Sequence, residues 1–208
     1  MIPALHCPRR VLGELTADAS SSPWRELPAV RLADALTGAT PKQGTEVRAV
    51  WGSTEWRLLF VAKDRDPWAT MTRRDAPLYE EEVVEVFFDP AGDLNGYFEI
   101  EVNPLGTVLD LVLRKSRSGY KGDVAWDCDG LRTLVRKHAG GWSTEMSIPF
   151  DSVTNSPPVA GSRWRANFYR IDRPSRDGSI PRELTAWSPP LRPNFHTPEK
   201  FGIIEFVD

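Results

Sequence analysis

Histidine and cysteine are scarce in this sequence, and their scarcity limits the chemistry that the chain can support. The three histidines, His6, His138 and His196, lie far apart and match no zinc motif. The two cysteines, Cys7 and Cys128, are also distant in the sequence, so we expect free thiols rather than a disulfide. No nucleophile elbow, phosphate-binding loop or dinucleotide fingerprint is present. The sequence therefore lacks the usual motifs of zinc, serine-nucleophile and nucleotide-dependent enzymes.

Long apolar runs and an excess of basic charge are missing as well. No run approaches the roughly 18 apolar residues of a transmembrane helix, and the first ten residues do not resemble a signal peptide. The 26 basic residues are spread along the chain and are outnumbered by 29 acidic ones, for a formal net charge of −3. We therefore expect no membrane partner and no nucleic-acid partner, and a cytoplasmic protein is favoured over a mature secreted or periplasmic one.

A sustained helical periodicity is also absent, as is an internal repeat. Short alternating runs are instead separated by turns, in keeping with 18 prolines and 15 glycines in 208 residues. Eight or more short strands predict an all-β fold, an antiparallel β-sandwich of the immunoglobulin or jelly-roll kind with long loops and little helix. We expect residues 1–208 to form this single domain, with residues 1–28 as an N-terminal extension.

The strand predictions follow from alternation between turn signals. Strands are predicted within residues 29–32, 46–51, 56–63, 83–89, 97–103, 107–114, 131–137, 142–148, 164–172 and 201–207, with one helical turn at 149–153. Residues 64–79, 115–126 and 173–195 are interpreted as long loops. Long loops between strong strands often carry function.

The hairpin within residues 83–106 has a polar and aromatic face. Alternation places Glu85 on this face of the first strand, and Glu99, Glu101 and Asn103 on the same face of the second. The pattern fits either a ligand platform or an ordinary solvated face. Glu85 paired with Glu99 or Glu101 is also the arrangement of a glycoside hydrolase, which is the enzymatic alternative. Because acidic clusters on sheets usually form ion pairs or hydrogen bonds, we predict no catalytic residue.

Aromatic residues in two of the long loops suggest a flat ligand. Tyr79 ends the first loop and Phe195 ends the other, while Trp68 and Trp187 lie within the same two loops. Two rings can clamp the apolar faces of a pyranose while polar groups beneath them bind its hydroxyls. For Trp187, anchoring of its own loop on the core is the favoured interpretation.

One turn of the same hairpin contains candidate metal ligands. Asp89, Asp93 and Asn95 provide oxygen atoms that suit calcium. Asp and Asn are equally common as turn formers. The sequence leaves both interpretations open.

An ordered set of segments carries a family resemblance. The segments are residues 47–51, 75–79, 84–89, 97–106 (YFEIEVNPLG), 142–150, 165–170, 186–189, 195–196 and 201–202. Together they resemble the family 9 carbohydrate-binding modules, in particular the stand-alone bacterial proteins of the wider DOMON-like sandwich group. The resemblance spans about residues 30–207.

The resemblance implies a calcium-containing sandwich that binds the ends of glucan or xylan chains. In the xylanase-attached members two tryptophan rings enclose the sugar, and these positions fall on Tyr79 and Phe195. A glutamate that bonds the sugar falls on Glu85, and an arginine falls on Glu101, a charge reversal. Arg170 is a candidate to replace the missing cation.

The sequence thus predicts non-catalytic binding of a mono- or oligosaccharide. The predicted binding residues are Tyr79, Phe195, Glu85, Glu101, Asn103, Arg170, Trp68 and His196, and the predicted calcium ligands are Asp89, Asp93 and Asn95. The second alternative, after the hydrolase, is a DOMON-like haem or redox domain, for which Met71, Met146 and His196 could supply ligands.

Overall fold

A computed structural model describes residues 2–208 and consists of two β-sheets packed face to face. The predicted all-β sandwich is therefore confirmed. Helix in the described residues is limited to α1 (Phe150–Val153) and three 3-10 turns of three residues each. No helix in this part of the chain is long and apolar enough to cross a membrane.

The nine-stranded sheet carries the face on which the candidate site lies. Its strands are β1 (Ala4–Pro8), β3 (Ala33–Asp34), β6 (Val83–Asp89), β7 (Gly96–Val102), β8 (Val108–Ser116), β9 (Gly119–Asp123), β12 (Arg163–Asp172), β13 (Glu183–Ala186) and β14 (Gly202–Val207). The order across the sheet is β1-β14-β12-β6-β7-β8-β9, and β13 pairs with β12 and β3. The β6–β7 hairpin is thus near the centre of the sheet.

The five-stranded sheet covers the opposite side of the core. It contains β2 (Val30–Arg31), β4 (Thr45–Trp51), β5 (Glu55–Lys63), β10 (Arg132–His138) and β11 (Gly141–Pro149), in the order β10-β11-β5-β4-β2. The predicted strands at residues 46–51 and 56–63 pair as one hairpin of this sheet, and those at 131–137 and 142–148 pair as another. The hairpin predicted within residues 83–106 is present in the nine-stranded sheet.

Period-two alternation in β6 divides its side chains between two environments. Val84, Val86 and Phe88 point inward and are fully buried between the sheets. Trp56 from the five-stranded sheet meets Phe88 edge to face, with ring centroids 5.5 Å apart. Because the inward positions are all apolar, the intervening residues of β6 must face the outer side of the nine-stranded sheet.

Four strands were not predicted from the sequence. They are β1, in the supposed extension, β9 and β13, in two supposed loops, and the two-residue β3. The strand β1 pairs in parallel with β14, at the other end of the chain. These strands are only two to five residues long, so their local signals are weak. Pairing with distant segments aligns β1 and β3, whereas β9 pairs with the adjacent β8.

Trp187 and the two cysteines belong to the interior. The Trp187 ring is 8% exposed and stacks on Phe168, with centroids 5.3 Å apart, so its predicted anchoring role is confirmed. Cys7 and Cys128 are buried free thiols, as expected. Burial raises the pKa of the Cys128 thiol to about 11.

Trp187 also packs directly on the backbone of Gly202. A Cβ atom added at Gly202 would lie 2.3 Å from Cζ3 of Trp187. We expect Gly202→Ala to lower the free energy of unfolding by about 1–3 kcal/mol, because the indole is held in the core and must shift. Urea denaturation measures the change.

Gly44→Ala is the matched control for this substitution. An added Cβ at Gly44 meets no atom within 4 Å. Its unfolding free energy is expected to stay within about 1 kcal/mol of the wild type. Equal urea midpoints for Gly202→Ala and the wild type would contradict the packing of Trp187 described above.

Candidate functional site

A cavity of about 450 Å³ opens on the outer face of the nine-stranded sheet. Its base comes from the outward side chains of β6, β7 and β8, and its walls come from the loops before β6 and before β14. The lining residues are Asp75, Pro77, Tyr79, Glu85, Phe87, Glu99, Glu101, Leu109, Leu111, Val124, Ile171, Arg182, Leu184, Pro193, Asn194, Phe195 and His196.

Strand register brings three glutamates together at the base, and we call Glu85, Glu99 and Glu101 the carboxylate floor. Glu85 lies directly opposite Glu101 across the β6–β7 pair. Glu99 precedes Glu101 by two residues in β7, so both side chains are on the same face of the sheet. Carboxylate oxygens from all three lie within 4.8 Å of one another. The three residues are 2%, 4% and 1% exposed, respectively.

The carboxylate floor is short of hydrogen-bond partners. Glu85 Oε1, Glu99 Oε2 and both carboxylate oxygens of Glu101 are buried without a partner. Buried ionised carboxylates are costly unless they are paired. The floor therefore has buried acceptors without partners in residues that line a cavity.

Burial and mutual repulsion shift the titration of the floor. Burial raises the pKa of Glu99 to about 7. Burial, followed by repulsion from neighbouring carboxylates, raises the pKa of Glu85 and of Glu101 well above the usual range. Protons are therefore retained on the floor at neutral pH, where a protonated carboxyl can donate a hydrogen bond as well as accept one.

The two predicted aromatic walls both line the cavity but differ in exposure and packing. The Phe195 ring stacks on Tyr169 with centroids 4.1 Å apart, and the Tyr169 hydroxyl donates to the Phe195 carbonyl at 3.0 Å. Tyr79, on a 3-10 turn, has 48% of its surface exposed. The cavity thus combines a fixed ring with an open one.

His196, predicted at the rim, lies beside the floor. Its Nδ1 is 2.8 Å from the Tyr97 hydroxyl and 3.8 Å from Glu99 Oε2. Its ring stacks on Phe87 with centroids 5.3 Å apart, and burial lowers its pKa. The imidazole is therefore held between Phe87, Tyr97 and the carboxylate floor.

Arg170 was wrongly placed on the floor. Tyr169 faces Glu85 across the β12–β6 pair, so alternation turns Arg170 to the inner side of the sheet. The Arg170 guanidinium is fully buried and donates to Asp64 at 2.6 Å and to Asp172 at 3.0 Å. Its role is to neutralise buried carboxylates.

Asn103 and Trp68 also lie outside the cavity lining. The Asn103 carbonyl accepts the backbone N–H groups of Leu105 and Thr107, both at 3.0 Å, so this side chain builds the turn after β7. The Trp68 indole donates to the Arg173 carbonyl at 2.8 Å and holds its own loop. Neither residue occupies the place that the sequence analysis assigned to it.

The predicted calcium ligands act as turn formers. The Asp89 carboxylate accepts the N–H groups of Gly92 and Leu94, at 2.8 and 3.0 Å. Asp93 accepts the backbone N–H and the side-chain amide of Asn95. These oxygens already serve the turn and do not converge as the six to eight ligands of calcium do. This ligand set does not fit calcium, whereas calcium binding as such stays a prediction.

The haem ligand set is not brought together. Met146 is fully buried between the two sheets, whereas His196 lies on the outer face of the nine-stranded sheet. The sheet itself separates the two side chains. The geometry thus gives Met146 and His196 no common haem iron to bind as axial ligands.

The apolar part of the lining and Arg182 were missed by sequence reasoning. Leu109 and Leu111 stand opposite Glu101 and Glu99 across the β7–β8 pair, which alternation in residues 107–114 could have indicated. Arg182 and Leu184 come from the segment that was interpreted as a loop. No local pattern in that segment indicates that it reaches the cavity.

The raised pKa of Glu99 makes stability depend on pH. The folded state keeps a proton that the unfolded state loses near pH 4.3, so the free energy of unfolding should fall as pH rises from about 4.5 through 7. In Glu99→Gln this fall should become shallower, because the amide does not titrate. Urea denaturation at several pH values between 5 and 8 measures the slope.

Glu14→Gln is the control, since Glu14 is an exposed glutamate far from the cavity lining. Its slope should match that of the wild type. A wild-type stability that rises between pH 5 and 8, or an unchanged slope in Glu99→Gln, would contradict the raised pKa.

Comparison with known proteins agrees with this architecture. The family model for carbohydrate-binding family 9 matches residues 44–206. A provisionally assigned carbohydrate-binding protein from Bacteroides uniformis superimposes with a TM-score of 0.79 at 18% identity, covering 99% of this chain and 100% of its own. No curated protein matches the sequence.

Two further solved structures are of a family 9 carbohydrate-binding module from Caldicellulosiruptor kristjanssonii. The complex with cellotriose gives a TM-score of 0.72 at 15% identity and covers 98% of this chain and 93% of its own. The complex with glucose gives 0.70 at 15% identity, with coverage of 98% and 95%. Since the family model spans most of the sequence, this chain belongs to carbohydrate-binding family 9.

Proposed function

We propose that this protein binds a carbohydrate without transforming it, in the cavity above the carboxylate floor. The observation that carries the proposal is the pairing of unpartnered, buried glutamate oxygens with two aromatic walls, Tyr79 and Phe195. Family membership and the sugar complexes of similar structures support it.

The two parts of the cavity match the two parts of a sugar. A pyranose has apolar C–H patches on its faces, which suit the rings of Tyr79 and Phe195, and hydroxyl groups on its edge, which suit the floor. At about 450 Å³ the cavity falls toward the lower end of the roughly 300–1,000 Å³ range of ligand pockets. This size favours a monosaccharide or a chain end over an extended polysaccharide.

The position of the glutamates favours binding over hydrolysis. Glycosidases place their two carboxyl groups on either side of the scissile bond. Here Glu85 and Glu101 project side by side from adjacent strands, so a sugar resting on the floor meets both from the same direction. The arrangement provides acceptors beneath a ligand rather than an acid and a nucleophile that flank it.

Removal of the open aromatic wall tests the cavity directly. Tyr79→Ala should weaken cellobiose binding by about 5- to 100-fold, because stacking area is lost while the exposed ring contributes little to the fold. Leu105→Ala is the matched control, since Leu105 is 47% exposed, close to the 48% of Tyr79, and does not line the cavity. Calorimetry of both variants gives the comparison, and full affinity in Tyr79→Ala would refute the clamp.

Product analysis separates binding from catalysis. Wild type incubated for a long time with cellotriose should release no shorter sugar. If products form and disappear in Glu85→Gln, the hydrolase interpretation replaces the binding one, because loss of a catalytic carboxylate reduces turnover by orders of magnitude.

Calcium, which the family resemblance implies, is proposed as a stabilising ligand at a site still to be located. Calcium that binds only the folded state should raise the melting temperature of metal-free protein by mass action. Identical melting curves with chelator and with millimolar calcium would contradict it.

A further inference from the structure

Residues 2–208 contain three groups of three acidic side chains. Within each group the carboxylates lie close enough together to contact a single cation. The groups are Asp64, Glu82 and Asp172; Asp75, Asp110 and Asp127; and the carboxylate floor. In the first group Arg170 bonds Asp64 and Asp172. In the second, Arg74 lies within ion-pair distance of all three acids. Two of the three groups therefore contain their own guanidinium.

The carboxylate floor has no such partner. Among the described residues no lysine or arginine lies within 4.0 Å of a floor oxygen, and four floor oxygens have no hydrogen-bond partner. His196 is near Glu99, but burial lowers its pKa and its Nδ1 already meets the Tyr97 hydroxyl. Arg182 lines the cavity as an exposed side chain, and its charge opposes the rise in the pKa of Glu85, but it lies beyond ion-pair distance of the floor. In the other two groups an arginine neutralises the carboxylates. On the carboxylate floor that position is open to a ligand in the cavity.

We infer that the cavity is selective for a sugar that carries a protonated amino group, with the ammonium seated among Glu85, Glu99 and Glu101. This inference rests on the proposed carbohydrate-binding function and names its ligand class. An ammonium offers three donors and a positive charge, whereas a hydroxyl offers one donor and no charge. The ammonium therefore matches the unused acceptors of the floor in both number and charge.

The same cation relieves the electrostatic cost of the floor. A nearby positive charge favours the ionised form of each carboxylate and offsets repulsion between them. The rings of Tyr79 and Phe195 remain free to cover the face of the pyranose, so the amine and the ring use different parts of the cavity.

The remaining lining argues for an organic cation rather than a metal ion. Calcium takes six to eight oxygen ligands. Phe87, Leu109, Leu111 and Ile171 line the cavity beside the floor and offer no side-chain oxygen, and Asp75, the other acidic residue of the lining, is within ion-pair distance of Arg74. An apolar lining beside a group of carboxylates suits an amino sugar, because the C–H face of the sugar ring is apolar and lies next to the amino group.

Three disaccharides test the inference on the wild-type protein at pH 6.5, where a sugar amine is protonated. They are the β-1,4 disaccharide of glucosamine, its N-acetylated form and cellobiose. Calorimetry should show that the dissociation constant of the amine form is lower than those of the other two disaccharides by about tenfold or more. The reason is that charge-assisted hydrogen bonds are stronger than neutral ones.

Variants of the floor locate the amine. Glu101→Gln and Glu85→Gln should each weaken binding of the glucosamine disaccharide by about tenfold more than they weaken binding of cellobiose, because only the amine form loses a charged partner. Glu14→Gln should leave both affinities unchanged. Circular dichroism and melting curves establish that each variant is folded, and the wild-type ligand comparison does not depend on them.

The outcomes separate this inference from the proposed function. If cellobiose binds as tightly as the amine form, or more tightly, the charge selectivity is wrong and carbohydrate binding stands. If the amine form is preferred but neither floor variant weakens it, the ammonium lies elsewhere and the inference fails. If calcium binds with a heat that disappears in Glu101→Gln and displaces the disaccharide, the floor is a metal site. If none of the three sugars binds, the proposed function and the inference are both overturned.

Discussion

Burial of three adjacent glutamates on an outer sheet face, with no lysine or arginine of residues 2–208 in ion-pair contact with them, is the constraint on which the cavity depends. Such carboxylates survive burial only by retaining protons or by meeting a ligand that supplies donors or positive charge. The raised pKa of Glu99, to about 7, reflects the free energy needed to ionise a buried carboxylate. A ligand that supplies donors or positive charge offsets this free energy, and the same groups then favour its binding.

The sandwich makes this arrangement possible because its strands serve two surfaces at once. In β6 and β7 the inward residues pack against Trp56 and its neighbours, and this packing fixes the register that aligns Glu85 with Glu101. The floor is therefore held by strands that are packed on the core. The walls instead come from loops, which lets Tyr79 stay exposed while Phe195 is held by Tyr169. A base packed on the core and one exposed wall suit a ligand that enters from solvent.

Local periodicity correctly predicted those features of the cavity that depend on the β6–β7 hairpin alone. The opposite faces of Val84 and Glu85 follow from period-two alternation, and the structure has them as expected. Arg170 was misplaced because its charge was considered without its register. Alternation within residues 163–172 places Tyr169 outward, and hence Arg170 inward. Asn103, followed by Pro-Leu-Gly, has the sequence of a turn former, and that signal was available.

Other features could not be read from any short segment. The pairing of β1 with β14 joins the two ends of the chain, and β13 is aligned only by β12 and β3. The position of Arg182 over the cavity depends on that alignment. The contrast between the three acidic groups likewise requires knowing which arginine lies near which acid, and only the folded chain provides that information.

The most direct test of the central claim is carbon-13 NMR of the glutamate side-chain carboxyls, with Glu85, Glu99 and Glu101 assigned from their Gln variants. If the floor is buried and unpaired, these three signals should titrate well above the ordinary glutamate pKa of about 4.3, in coupled steps. Titration of all three floor glutamates near pH 4.3 would contradict the account, because it would mean that the floor is hydrated and carries no unpaired buried charge.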